Sequence, residues 1–126
     1  MKSRLITAIA LLTVSLGAAV FCVLHLNKCA DELGGALENA LASAAVESPA
    51  WEGATDEVLH AWEKHREFLH ILLPHVNLNE LEWTIGALSA YLEQHDRTLY
   101  IEQCVRALHC LNTVREMERP SWGNIF

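Results

Sequence analysis

Basic side chains are scarce once the amino terminus is passed. Beyond residue 27 only Lys28, Lys64, Arg66, Arg97, Arg106, Arg115 and Arg119 stand against all 16 acidic residues, seven positive against sixteen negative for a net −9. A surface of that sign repels phosphate backbones and argues against nucleic acid as a partner. There is no glycine-rich phosphate loop, no GxSxG and no HExxH, so the common nucleotide-binding and hydrolase templates find nothing to attach to. The four cysteines form neither a CxxC nor a zinc-ligand spacing. Long runs of period-two alternation are missing too, and with them the signature of half-buried strands. At 126 residues the chain holds one domain at most.

What is present is concentrated at the front. The chain is 52% hydrophobic, and most of that excess lies in the first 26 residues. After Lys2 and Arg4, Leu5 to Leu24 are twenty uncharged positions, eleven of them Leu, Ile, Val or Phe. At about 1.5 Å per helical residue they span the roughly 30 Å hydrocarbon core of a bilayer. A cleaved secretory signal is the competing reading, with Gly17-Ala18-Ala19 as its processing site. Such a signal has a shorter apolar region, and here Val20 to Leu24 continue apolar beyond the site. Cys22 also lacks a lipoprotein context, because Phe21 stands where a small residue is needed. The expectation is therefore an uncleaved anchor, in contact with lipid through residues 5–24. Lys2, Arg4 and the terminal amine precede the span while only Lys28 follows closely, which puts the amino terminus in the cytoplasm and the remainder outside.

Past the anchor, apolar residues recur at spacings of three and four, the period of an amphipathic helix. A first segment, Lys28 to Ser48, carries Leu33, Leu37, Leu41 and Ala44 on one face and can continue the membrane helix outward, although Gly34-Gly35 weakens a straight rod. Ser48-Pro49 reads as an N-cap with proline at the first helical position. The second helix, Pro49 to Leu73, bears Trp51, Ala54, Val58, Ala61, Trp62, His65, Leu69 and Leu72, and Pro74 ends it. Asn79 with Glu82 resembles a capping box opening a third helix with Leu81, Ile85, Leu88 and Leu92 on its stripe. Asp96 caps a fourth, Arg97 to Arg119, with Ile101, Cys104, Val105, Leu108, Leu111 and Val114. The fold class expected is all-α: a single amino-terminal transmembrane helix over residues 1–26, then an antiparallel bundle of three to four helices over residues 27–126. The tail residues Trp122, Ile125 and Phe126 then either touch the membrane or a membrane partner, or cover the open end of the bundle.

His60, His65, His70 and His75 recur every five residues. Each is rotated by about 140° from the last, so they cannot share a face. Metal ligands on one helix need spacings of three or four, which leaves Glu57 with His60 and Glu67 with His70 as the metal candidates. Both pairs lie on the same helix, whereas di-metal bundles draw them from two, and a chain with so many Glu and His yields such pairs by chance. His65, on the apolar stripe, reads as a hydrogen-bonded core residue. Cys104 and Cys110 are six apart on one helix, about 9 Å by the helical rise and beyond the ~7 Å limit for a disulfide. A bridge would have to pair Cys29 with one of them, and buried free thiols are the favoured reading. Glu80/Glu82 and Glu116/Glu118 point to different sides of their helices, as solvated surface does.

The layout as a whole resembles the small bacterial family DUF4363, known mostly from Firmicutes. The resemblance is carried by the membrane segment, Trp51 and Ala54 in a W-x-x-A step, Trp62, Leu72 and His75 before Asn79-Glu80-Leu81-Glu82, Tyr91-Leu92-Glu93, and a terminal Asn124-Ile125-Phe126. Pro74, and the abundance of His and Cys, depart from the family pattern. The resemblance implies a membrane-anchored helical protein and brings no catalytic residue. The function expected is that of a non-enzymatic accessory or interaction module at the outer face of the cytoplasmic membrane, needing no cofactor and contacting a membrane protein. The alternative is a ligand- or metal-sensing bundle using the His-rich second helix.

Overall fold

The computed structural model describes residues 1–72 and 75–118. Four helices follow one another: α1 Lys2–Ala45, α2 Trp51–Leu72, α3 His75–Glu93 and α4 Arg97–Glu118, with no strand among the described residues. Pro74 and the tail with Trp122, Ile125 and Phe126 lie outside the described residues.

The expected membrane segment and first bundle helix are one unbroken rod of 44 residues, about 66 Å long at 1.5 Å per residue. Gly34 and Gly35 do not interrupt it, and neither takes a positive φ. Leu33 and Leu37 flank them and are fully buried. Burying two leucines contributes more than the roughly 1 kcal/mol that each helical glycine costs.

This rod has two environments. From Leu5 to Leu24 its large side chains face outward, Leu12 at 71% and Phe21 at 64% exposure, and the most apolar stretch is covered by no other helix. α1 is the one helix among the described residues long and apolar enough to cross a membrane. Burial begins at Leu26 and recurs at Cys29, Ala30, Leu33, Leu37, Ala40 and Ala44, the spacing of a bundle seam. Leu41, expected on that seam, is half-buried, and Ala40 takes the inner position.

Both tight turns end their helices in the same way. Ser48 N–H donates to Ser43 O and Asp96 N–H to Tyr91 O, five residues back. Glu47 and His95 supply the left-handed residue at φ 56° and 55°, a role more often taken by glycine. After the first turn Ser48 Oγ accepts from Ala50 N–H at 3.2 Å, and the regular helix starts at Trp51, two residues later than the Ser48-Pro49 signal suggests. Asp96 caps α4 as expected, its Oδ1 accepting from Leu99 N–H at 3.1 Å. Asn79 and Glu82 do not form a capping box. α3 already begins at His75, and Glu82 instead meets Arg66 of α2 at 3.2 Å.

α1 packs against α2 and α4, α3 packs against α4, and α2 touches α3 more lightly, so the helices stand as a square with unpacked diagonals. Short connections make sequence neighbours antiparallel. α2 therefore returns towards the apolar half of α1, α3 leads away and α4 returns. The seam on α4 runs through Tyr100, Cys104, Ala107, Leu111 and Val114, all buried. Val105, expected on this seam, is 52% exposed because it lies one residue round from Cys104.

The end of the bundle farthest from the apolar segment is pinned by aromatic and polar contacts. Trp51 packs edge-on to Tyr100, with ring centroids 5.1 Å apart. The Arg97 guanidinium lies 4.2 Å from the Trp51 ring centroid, and its Nη1 donates to Ala44 O at 3.4 Å. Inside this end Thr55 Oγ1 and Tyr100 Oη are hydrogen-bonded, and Thr55 Oγ1 also donates to Trp51 O at 2.6 Å. One hydroxyl carries one proton, so Tyr100 must be the donor to Thr55. Tyr100→Phe then removes a donor and leaves Thr55 with Trp51 O, for a loss of about 0.5–1.5 kcal/mol, whereas Thr55→Val strands the buried Tyr100 hydroxyl and loses about 1–3 kcal/mol. Urea unfolding of the two variants should rank them in that order.

Candidate functional site

At the opposite end, where α1 leaves the bundle, three side chains that the sequence treats separately meet. His25 and Cys29 are one helical turn apart, a spacing that puts both on one face. α2 returns past them with His65, which its place on the apolar stripe turns inward. The donor atoms of His25, Cys29 and His65 all lie within 4.8 Å of one another. Cys29 and His65 are 1% and 4% exposed, while His25 is half-buried. The His25 ring packs edge-on to Phe68 with centroids 4.2 Å apart, and parallel to Phe21 at 5.8 Å.

Both nitrogens of His65 are engaged. Nδ1 faces Cys29 Sγ at 3.0 Å and Nε2 faces Glu32 Oε2 at 2.5 Å. A carboxylate can only accept, so Nε2 carries the proton and Nδ1 is left as the acceptor for the Cys29 thiol. The hydrogen bond from His65 holds the Glu32 carboxyl below its ordinary 4.5, outweighing desolvation, and Lys64 at 3.4 Å adds to the effect. Burial, reinforced by the negative charge of Glu32, pushes the Cys29 thiol up from 9.0. On α4, Arg115 pairs with Asp31 of α1 and ties a third helix to the same end.

Thiol, imidazole and carboxylate in line also describe a cysteine nucleophile with its base and orienting acid. A nucleophile needs a lowered thiol pKa and an approach for substrate, and here the thiol is raised and sealed. Two imidazoles and a thiol converging with a carboxylate behind one of them are instead a donor set suited to a metal ion.

The sequence-derived candidates are placed elsewhere. Glu57 and His60 lie exposed on the outer face of α2, beside an open hollow that also includes Glu32 and Lys64. Glu67 and His70 line a different hollow with Glu63, Arg66 and Ile71. Among the described residues neither pair gains a third ligand atom. His75 opens α3. All four cysteines are free thiols, Cys29, Cys104 and Cys110 being buried, in line with the favoured reading. Cys110 borders a hollow with Glu80, His109 and Thr113, and burial together with the Glu80 carboxylate raises its thiol, the wrong direction for a reactive group.

The His25-Cys29 pair was readable as an i,i+4 spacing, but it straddles the boundary between anchor and bundle and its third member comes from another helix. No curated protein and no solved structure matches this chain. A family model described as "Domain of unknown function (DUF4363)" matches residues 20–125, from the end of the apolar segment through all of the bundle, and the chain belongs to that family.

Proposed function

We propose that this protein is a bacterial single-pass membrane protein whose helical bundle works by contact, as an accessory module at the outer face of the cytoplasmic membrane. The observation that carries this reading is the continuity of α1. An outward-facing apolar half, with Leu12 71% exposed, passes without a break into a half buried against α2 and α4. Exposed leucine and phenylalanine over about 30 Å of rod match the thickness of a bilayer's hydrocarbon core. In this reading residues 5–24 lie in lipid, Lys2 and Arg4 hold the amino terminus in the cytoplasm, and the acidic bundle stands outside.

The surface of the bundle suggests where a membrane-protein partner docks. Trp83 is 79% exposed on α3, beside Gly86 and Ala87 in an apolar hollow. A large aromatic left in water next to small residues is typical of a contact surface. A photocrosslinker placed at position 83 in intact membranes should give one discrete adduct with a membrane protein, and the adduct should be lost when Gly86 is enlarged to Trp. Recovery of the chain from the soluble fraction, or turnover of a small molecule by the purified chain, would contradict the reading.

A further inference from the structure

We propose that His25, Cys29 and His65 bind one thiophilic d-block cation, of which Zn²⁺ is the representative, at the junction between the apolar segment and the bundle. The ligands are one imidazole and one thiol from α1 and one imidazole from α2, with their donor atoms already within 4.8 Å of one another. Tetrahedral coordination at 2.0–2.3 Å from the ion puts donor atoms about 3.3–3.8 Å apart. Cys29 Sγ and His65 Nδ1, at 3.0 Å, need to open slightly. His25 needs to close by at most about 1.5 Å, which a side-chain rotation of a half-buried ring supplies.

Three features point to a metal and away from a plain hydrogen-bonded core. First, the His65 nitrogen that carries the proton already donates to Glu32 at 2.5 Å. This is the carboxylate–histidine arrangement that fixes the tautomer and aims the other nitrogen at a metal. Second, His25 stands one helical turn from Cys29, and packing against Phe21 and Phe68 keeps its ring on the same face of α1 as the thiol. Third, the sealed position of Cys29 excludes a substrate but not an ion. Thiolate and imidazole select zinc or copper(I) over calcium or magnesium, which require oxygen ligands.

Binding converts the Cys29 thiol to thiolate. One S–H bond breaks, one S–metal bond forms and the proton leaves to solvent, with no change of oxidation state. Two neutral imidazoles and one thiolate leave the fourth position of a tetrahedral ion for water or a ligand from a partner. The ion would clamp α1 to α2 where the rod enters the bundle. The site depends on the α1–α2 geometry alone and not on the identity of any partner.

The test uses the full chain in detergent micelles under reducing conditions, titrated with Co²⁺ as the spectroscopic probe and then with Zn²⁺. The expected result is one Co²⁺ per chain with a thiolate-to-cobalt charge-transfer band, displaced by Zn²⁺ and absent in Cys29→Ser. Glu32→Gln should weaken Co²⁺ binding about 10–100-fold while the band keeps its shape, as loss of an outer carboxylate does. His25→Gln alters a half-buried residue outside the core, so it retains the far-ultraviolet circular dichroism of the parent chain and still loses tight binding. It decides the matter if Cys29→Ser fails to fold. A folded chain without the band, a band that survives Cys29→Ser, or tight binding unaffected by His25→Gln would overturn the site. Equal loss of binding in His60→Gln or His70→Gln would assign the metal to the outer face of α2 instead.

Discussion

Raising the pH from 9 towards 12 is expected to destabilise the folded chain steeply, with Cys104 contributing the largest single share. Burial pushes the Cys104 thiol up to about 12 against 9.0 for an exposed thiol, and Cys104 is 0% exposed. Between those values the unfolded chain has released a proton that the folded chain still holds, so unfolding is favoured more with each step up in pH. Below 9 both states keep the proton and the dependence vanishes. At 1.36 kcal/mol per pH unit the loss approaches about 4 kcal/mol, a large part of the 5–15 kcal/mol that stabilises a typical domain. Burial shifts Tyr100 and Cys110 in the same direction, which steepens the slope. Urea midpoints measured below 9 and again near 11 should therefore separate widely, and Cys104→Ala should flatten the difference. An equal slope in that variant would show that Cys104 ionises freely in the folded chain.

The second large effect separates the two halves of α1 with the same substitution. Leu33→Ala and Leu37→Ala remove side chains that are 0% exposed, and each should lower stability by about 2–5 kcal/mol through lost burial and the cavity left behind. Leu12→Ala and Leu16→Ala, at 71% and 66% exposure on the same helix, touch no other helix and should leave the unfolding midpoint of the bundle within about 0.5 kcal/mol of the parent. Chemical denaturation of all four variants in the same micelles reads the contrast directly. A loss above 1 kcal/mol for Leu12→Ala would mean that the apolar half packs on the bundle.

Much of the fold was legible because helical periodicity survives wherever a seam is made of large aliphatic and aromatic residues. The stripes on α2 and α3 follow the spacing at Trp51, Val58, Trp62, Leu81, Ile85 and Leu88, all buried, while Ala61, Leu72 and Leu92 sit at the edge of the core and are half-buried. The seam of α4 was harder to place. Its inner positions include Ala107 and the amphipathic Tyr100, while Val105 advertises burial that it does not have, so residue hydrophobicity pointed one step off the true face. The start of α3 was misplaced because Asn79 and Glu82 mimic a capping box, and tertiary pairing of Glu82 with Arg66 explains that glutamate better than a cap does.

The site was legible only in part. Rotation by about 140° per step already showed that the four histidines of α2 and its end cannot share a face, and the apolar stripe singled out His65 as the inward one. What the sequence could not show is which α1 residues His65 meets, since that depends on the height at which α2 returns. Local spacing drew attention to Glu57, His60, Glu67 and His70, which lie on the same helix and face outward or sideways. The true neighbours, His25 and Cys29, were divided between an anchor and a bundle that prove to be one helix.

Position-by-position solvent access along α1 tests that single rod most directly. In the chain with Cys22 replaced by Ala and reconstituted in lipid vesicles, cysteines introduced at Leu12, Leu16, Glu38 and Glu47 are exposed to a membrane-impermeant maleimide before and after detergent is added. The expected result is rapid labelling at Glu38 and Glu47 throughout, with Leu12 and Leu16 labelled only once detergent strips the lipid. Equal labelling of all four positions in intact vesicles would contradict a helix that lies half in the bilayer and half in the bundle.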